Sequence, residues 1–142
     1  MATNTRGATL RSALQTCIDP GENGLAALPD LFTDDATVWS PNIMAVGLAS
    51  LVENLDFVEE ALSDVSVEIS AIDVVGSKGF AEFRVSATFS GPFVLSGDVV
   101  VEPNGRRLLL GAAAVADFEG DKIKALRAYF DDATLLEQMF AG

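Results

Sequence analysis

At Val65 the apolar residues of this chain change period. Before it, Leu48, Leu51, Val52, Leu55, Val58 and Leu62 recur at helical spacing across Gly47 to Leu62, with Glu53, Asp56, Glu59 and Glu60 off the stripe. After it, Val67, Ile69 and Ala71 alternate with polar neighbours, the period of a strand with one buried face. The alternation then persists almost to the C-terminus, punctuated by turn signals at Gly76-Ser77-Lys78-Gly79, Gly91-Pro92, Pro103-Asn104-Gly105 and Gly120-Asp121. Strands joined by such short turns pair antiparallel. Helices gathered ahead of them make the chain α+β and not a parallel α/β sheet.

The remaining elements follow from the same reasoning. Residues 1–7 are expected to fray. Leu10, Ala13, Leu14 and Cys17 mark a short helix over Thr9 to Ile18, which Asp19-Pro20-Gly21 ends. A second helix is expected from about Asn23 to Phe32, with Pro29 awkward inside it and Asp34-Asp35 closing it. Ala36 to Ser40 is the first strand. The hairpin strands are expected near Ala81 to Phe89, Phe93 to Glu102, Arg107 to Phe118 and Lys122 to Phe130. Asp131 or Asp132 caps a last helix through Phe140. No linker or repeat divides the chain, so residues 1–142 read as a single domain.

Composition excludes several classes of function. Nine basic residues against 21 acidic ones give a net charge of −12, the wrong sign for phosphate backbones or anionic membranes, so neither nucleic acid nor membrane is an expected partner. There is no histidine and one cysteine, Cys17, so no disulfide, no metal site and no cofactor is expected. Cys17 lies on the apolar side of its helix and reads as a core thiol. There is no long apolar run, and the start MATNTRGATL lacks a signal-peptide core, so a cytoplasmic location is expected.

Two stretches carry a resemblance. Leu31 to Pro41, LFTDDATVWSP, resembles the entry to the first strand of ketosteroid isomerases. KIKALRAYFDDATLLEQM, ending at Met139, resembles the last strand and helix of limonene epoxide hydrolases and SnoaL-like polyketide cyclases. By element order the resemblance to this nuclear-transport-factor-like superfamily covers roughly Leu10 to Met139. It implies a cone-shaped, strongly curved antiparallel sheet with three helices over its concave face, a cystatin-like α+β barrel, and it implies a homodimer. It also implies catalytic positions that this chain has emptied. The isomerases' general-base aspartate falls on Ser40, and their oxyanion-hole aspartic acid falls on Ala114. Their oxyanion-hole tyrosine comes from the first helix, which has none here. Of the epoxide hydrolases' aspartate–arginine–aspartate set, the arginine matches Arg84, while the two aspartates fall on Ser86 and Ala128.

The expected site is therefore an apolar hollow for a hydrophobic small molecule. Arg84 and Ser86 are its candidate catalytic groups. Trp39, Ser40, Glu82, Ala114, Leu126, Ala128 and Phe130 are its candidate walls. If Arg84 points inward, then Glu82, Ser86 and Thr88 share its face, leaving Ala81, Phe83, Val85, Ala87 and Phe89 to be covered by a helix or a second subunit. The functions in play are an isomerase, cyclase or hydratase-type lyase acting on a hydrophobic oxygen-bearing substrate, a non-catalytic binding or carrier protein of the same fold, or an assembly module.

Overall fold

The computed structural model describes residues 2–21, 23–41, 43–96 and 99–141. The side chains of 2–4, 56–59, 95 and 96 lie outside this description, as does all of Asn42, which the sequence offers as a hydrogen-bond donor. The described elements are α1 (Ala2–Ile18), α2 (Gly24–Leu31), β1 (Phe32–Ser40), β2 (Ile43–Val46), α3 (Leu48–Ala61), β3 (Leu62–Val75), β4 (Lys78–Phe89), β5 (Phe93–Ser96), β6 (Val99–Val101), β7 (Arg107–Glu119), β8 (Lys122–Phe130) and α4 (Asp132–Phe140).

Six strands form one curved sheet in the order β2-β1-β8-β7-β4-β3. Every neighbouring pair is antiparallel except β1 with β8, where Val38 stands beside Leu126 in a parallel register. The fold is α+β as the alternation requires, with two adjustments. The sheet keeps free edges at β2 and β3, so it is an open curved sheet and not a closed barrel. Four helices pack on it, not three: α1 against β3 and β4, α2 against β1 and β8, α3 against β1 and β2, and α4 against β7.

Several boundaries move for visible reasons. Helix α1 begins at Ala2, inside the stretch expected to fray, and Arg6 ties it down. The Arg6 guanidinium donates to the carbonyl oxygens of Gly120 at 2.9 Å and Gly76 at 2.6 Å, and lies over the Phe118 ring. Two hairpin turns are thereby fastened to one side chain. Helix α2 stops at Leu31, so Asp34 and Asp35 are exposed residues of β1 and close no helix. The expected long strand from Phe93 to Glu102 is instead a separate two-stranded ribbon, β5 with β6.

The interior is packed in two clusters. The larger holds Leu10, Leu14, Phe32, Phe83, Ala114, Phe118, Ile123 and Leu126. The smaller holds Ala61, Phe89, Val101, Leu108, Leu135 and Met139. Phe32 and Phe89 are fully buried, and burial of a side chain that size stabilises the fold by about 1.5–3 kcal/mol. Helix α4 is held by named polar contacts as well as by packing. Asp131 caps its start, accepting from the backbone N–H groups of Ala133 and Thr134. The Gln138 amide donates to the Leu109 carbonyl at 2.9 Å and accepts from the Leu109 N–H at 2.8 Å. The Asn104 amide nitrogen lies 2.7 Å from the Ala141 carbonyl oxygen at the far end.

Candidate functional site

The two clusters do not meet everywhere. Between them, under the helices and above the concave face of the sheet, lies a partly open cavity of about 160 Å3. Strand register decides which side chains face it. Phe83 of β4 stands opposite Ala112 of β7, and Val85 opposite Leu110. Ala128 of β8 pairs with Ala114 of β7. Since side chains alternate, the odd residues of β4 and the even residues of β7 and β8 share the inner face. The cavity wall accordingly takes Phe83, Val85 and Ala87 from β4, Leu108, Leu110 and Ala112 from β7, and Leu126, Ala128 and Phe130 from β8. Helix α1 adds Leu14, Cys17 and Ile18; Val38 and Ser40 come from β1, Phe93 from β5, and Leu135 and Met139 from α4.

Chemically this wall is almost bare. Among the described residues no carboxylate, ammonium or guanidinium side chain lines it, and the lining residues whose side chains carry a heteroatom are Ser40, Cys17, Met139 and Trp39. Burial pushes the Cys17 thiol up to about 12, so it stays neutral at physiological pH. Ser40 is 8% exposed. The ion pairs of this region lie on the other face of the sheet. Asp117 accepts from Lys78 and, at 2.8 Å, from Arg127. Hydrogen bonds from Lys78 and then Arg127 hold the Asp117 carboxyl below its ordinary range, while Asp117 raises the Arg127 guanidinium in turn.

The residues singled out in the sequence divide along that sheet. Ser40, Leu126, Ala128 and Phe130 are brought together at the cavity. Ala114 is buried on the same face, in the larger cluster beside it. Trp39 touches the cavity, yet its residue is 39% exposed, and its ring lies 5.4 Å from that of Tyr129 on the outer face. Arg84, Glu82 and Ser86 do not reach the cavity. Arg84 stands between Gly111 and Glu68 in the sheet, exposed on the outer face with Glu82. The Ser86 hydroxyl accepts from Arg107 at 3.0 Å on that same face. The inward arginine expected from the resemblance is thus corrected by register. The alternation Ala81, Phe83, Val85, Ala87, Phe89 is wholly apolar, and that face turns to the core because its polar alternative can be solvated and it cannot. Helices of the same chain cover it, so it is not a surface awaiting a second subunit.

Sequence reasoning missed Phe83, Val85, Phe93, Leu135 and Met139 as wall residues. For the β4 pair the signal was present, in the polarity difference between the two faces. For Leu135 and Met139 the helical spacing shows an apolar face but not what it faces. Among the described residues no group of three histidine, cysteine, aspartate or glutamate side chains stands close enough to hold a metal ion. No described helix is long and apolar enough to cross a membrane.

Comparison with known proteins places this architecture. No curated protein matches the sequence. Among solved structures, a protein from Jannaschia Sp. CCS1 described as a SnoaL-like polyketide cyclase superposes with a TM-score of 0.82 at 14% identity, covering 99% of this chain and 95% of that one. TsrD from Streptomyces laurentii gives 0.79 at 17% identity, covering 98% and 97%. An LEH-like epoxide hydrolase from M. tuberculosis gives 0.70 at 13% identity, covering 96% and 90%. At these identities the likeness is one of fold. Residues 19–126 match the model of the SnoaL-like domain, three quarters of the chain, and the chain therefore belongs to the SnoaL-like family.

Proposed function

We propose that this protein is a small-molecule binder of the SnoaL-like fold, holding a hydrophobic ligand in the cavity between its two core clusters. The observation that carries this reading is the wall itself. General acid–base chemistry needs a titratable group within about 3 Å of the proton it moves, and among the described residues no carboxylate, amine or guanidinium lines the cavity. Arg84, the one member of the epoxide-hydrolase set that the sequence retains, lies on the opposite face of the sheet. An apolar concavity under a layer of helices is the usual form of a site that recognises shape and hydrophobicity. A second reading, an isomerase, cyclase or hydratase-type lyase, draws on neighbours described as a polyketide cyclase and an epoxide hydrolase. It would have to work through Ser40, Cys17 or a bound water.

Ala128 is the place to test occupancy. It sits on the wall with only a methyl group, and tryptophan there fills the hollow. Ethylbenzene titrated calorimetrically into the wild-type protein is expected to bind. Ala128→Trp, still folded by circular dichroism, is expected to lose at least tenfold in affinity. Equal affinity in the two proteins would put the ligand elsewhere.

The protein is further proposed to be a homodimer through the outer face of the sheet. Trp39 and Tyr129 are exposed there with their rings 5.4 Å apart, and Leu109 is exposed further along the same face. Exposed apolar residues on the outer face of a sheet are suited to an isologous contact. Light scattering at micromolar concentration is expected to give twice the chain mass, and Tyr129→Lys the single mass. A wild-type monomer at that concentration overturns this.

A further inference from the structure

We infer that the cavity selects neutral, single-ring hydrophobic molecules bearing one hydrogen-bonding oxygen, received by the Ser40 hydroxyl, and rejects the carboxylate of the same shape. This rests on reading the cavity as the ligand site, and it names the ligand class. Size sets the first limit. An apolar protein cavity of about 150 Å3 accommodates a benzene ring, and this one is about 160 Å3 and partly open. One ring fits within it, and a substituent can extend toward the opening.

Charge sets the second limit. A carboxylate moved out of water needs a counter-ion or several donors, and without them it binds protonated or not at all. The cations nearest in sequence to the wall are turned away from it. Arg127, between Leu126 and Ala128, pairs with Asp117 outside, and Arg84, between Phe83 and Val85, is exposed on the same outer face. The cavity already treats its own ionisable group this way, since the Cys17 thiol is held neutral by burial alone. An ammonium ligand meets the same barrier, because among the described residues no lining carboxylate could pair with it.

Ser40 supplies the third element. It shares the inner face of β1 with Val38, and it is the only buried polar residue among the described ones. A hydroxyl offers one donor and two acceptor sites, so it can keep a protein partner and still meet a ligand oxygen. At the end of an otherwise apolar wall, such a group fixes orientation more than affinity.

Three probes separate these statements: ethylbenzene, acetophenone and benzoate, titrated into the wild-type protein at pH 8. Ethylbenzene and acetophenone are expected to bind, with benzoate at least about 100-fold weaker, since each pKa displacement of one unit corresponds to tenfold. Lowering the pH toward 5 is expected to recover benzoate affinity by up to about tenfold per pH unit, because the bound form is the protonated one. Acetophenone affinity is expected to be unchanged over that range. Ser40→Ala should weaken acetophenone about five- to tenfold and leave ethylbenzene as it was. Benzoate matching acetophenone at pH 8 overturns the charge selection while leaving the cavity as a binding site. Acetophenone indifferent to Ser40→Ala overturns the role of the hydroxyl. Failure of all three probes, or ethylbenzene binding undisturbed in Ala128→Trp, overturns the underlying reading instead.

Discussion

Gly91→Ala is expected to cost about 3 kcal/mol of stability and to loosen one wall of the cavity in the same stroke. The reason is a close approach of two backbones. A Cβ at residue 91 would stand 2.0 Å from the Glu60 carbonyl oxygen and 3.1 Å from its carbon. Carbon and oxygen do not pack closer than about 3.3 Å even in favourable weak contacts. No rotamer relieves the clash, because both partners are main chain. The approach exists because the end of α3 needs it. The N–H groups of Ser90 and Gly91 both donate to the Ala61 carbonyl, at 3.1 and 3.0 Å, satisfying a helix end that would otherwise be buried without a partner. Moving residue 91 outward breaks those bonds and carries Phe93, two residues on, away from the cavity it lines.

Urea denaturation read by circular dichroism measures the stability, and ethylbenzene titration measures the wall. Gly111→Ala is the comparison, since its new methyl group meets nothing within 4 Å and its stability is expected within about 0.5 kcal/mol of wild type. Gly105→Ala falls between them. That residue has a φ of +70°, so the strain is conformational, about 1–2 kcal/mol, with open space around it. If Gly91→Ala is as stable as Gly111→Ala, Ser90 and Gly91 do not lie against the end of α3.

How much of this could be seen in the letters depends on the kind of interaction involved. Element types and most strand limits come from local patterns, and β8 runs from Lys122 to Phe130 as its alternation requires. The Asp131 cap is equally local, because a carboxylate meets amide donors two and three residues away. What the letters left open was the set of pairings between distant segments. Which face of β4 turns inward is fixed by Phe83 standing opposite Ala112, nearly thirty residues on. A family-based match to Arg84 favoured one answer, and the run of apolar residues beside it favoured the other. Burial prevailed, because an exposed row of Phe83, Val85 and Phe89 would forfeit the core, whereas Arg84 in water costs nothing. The split of the Phe93 to Glu102 stretch into a two-stranded ribbon, and the parallel contact between β1 and β8, likewise depend on residues far away in the chain.

Ser40→Asp tests the emptied site from the other side, since it restores a carboxylate where the isomerase resemblance puts a general base. In this chain the substitution is expected to be destabilising by about 3 kcal/mol at pH 8, because a buried carboxylate with no cation beside it bears a large desolvation cost. Ser40 is 8% exposed, and among the described residues no cationic side chain lines the cavity to offset that cost. The new carboxyl is therefore expected to titrate well above the ordinary aspartate value of about 3.9. The sign of the pH dependence follows. Above the raised folded value both states carry the charge and the whole penalty is felt. As the pH falls through that value the folded state takes up a proton before the unfolded state does, and stability returns. Below about pH 3.9 both states are protonated, and only the smaller cost of a buried neutral carboxyl remains. Denaturation curves of Ser40→Asp and of the uncharged, similarly shaped Ser40→Asn, taken from pH 4 to 8, separate the charge from the shape. The two are expected to converge at the acid end and diverge at the alkaline end. A constant difference between them would mean that a cation or water already serves this position. The site would then be one acid short of acid–base catalysis rather than built without it.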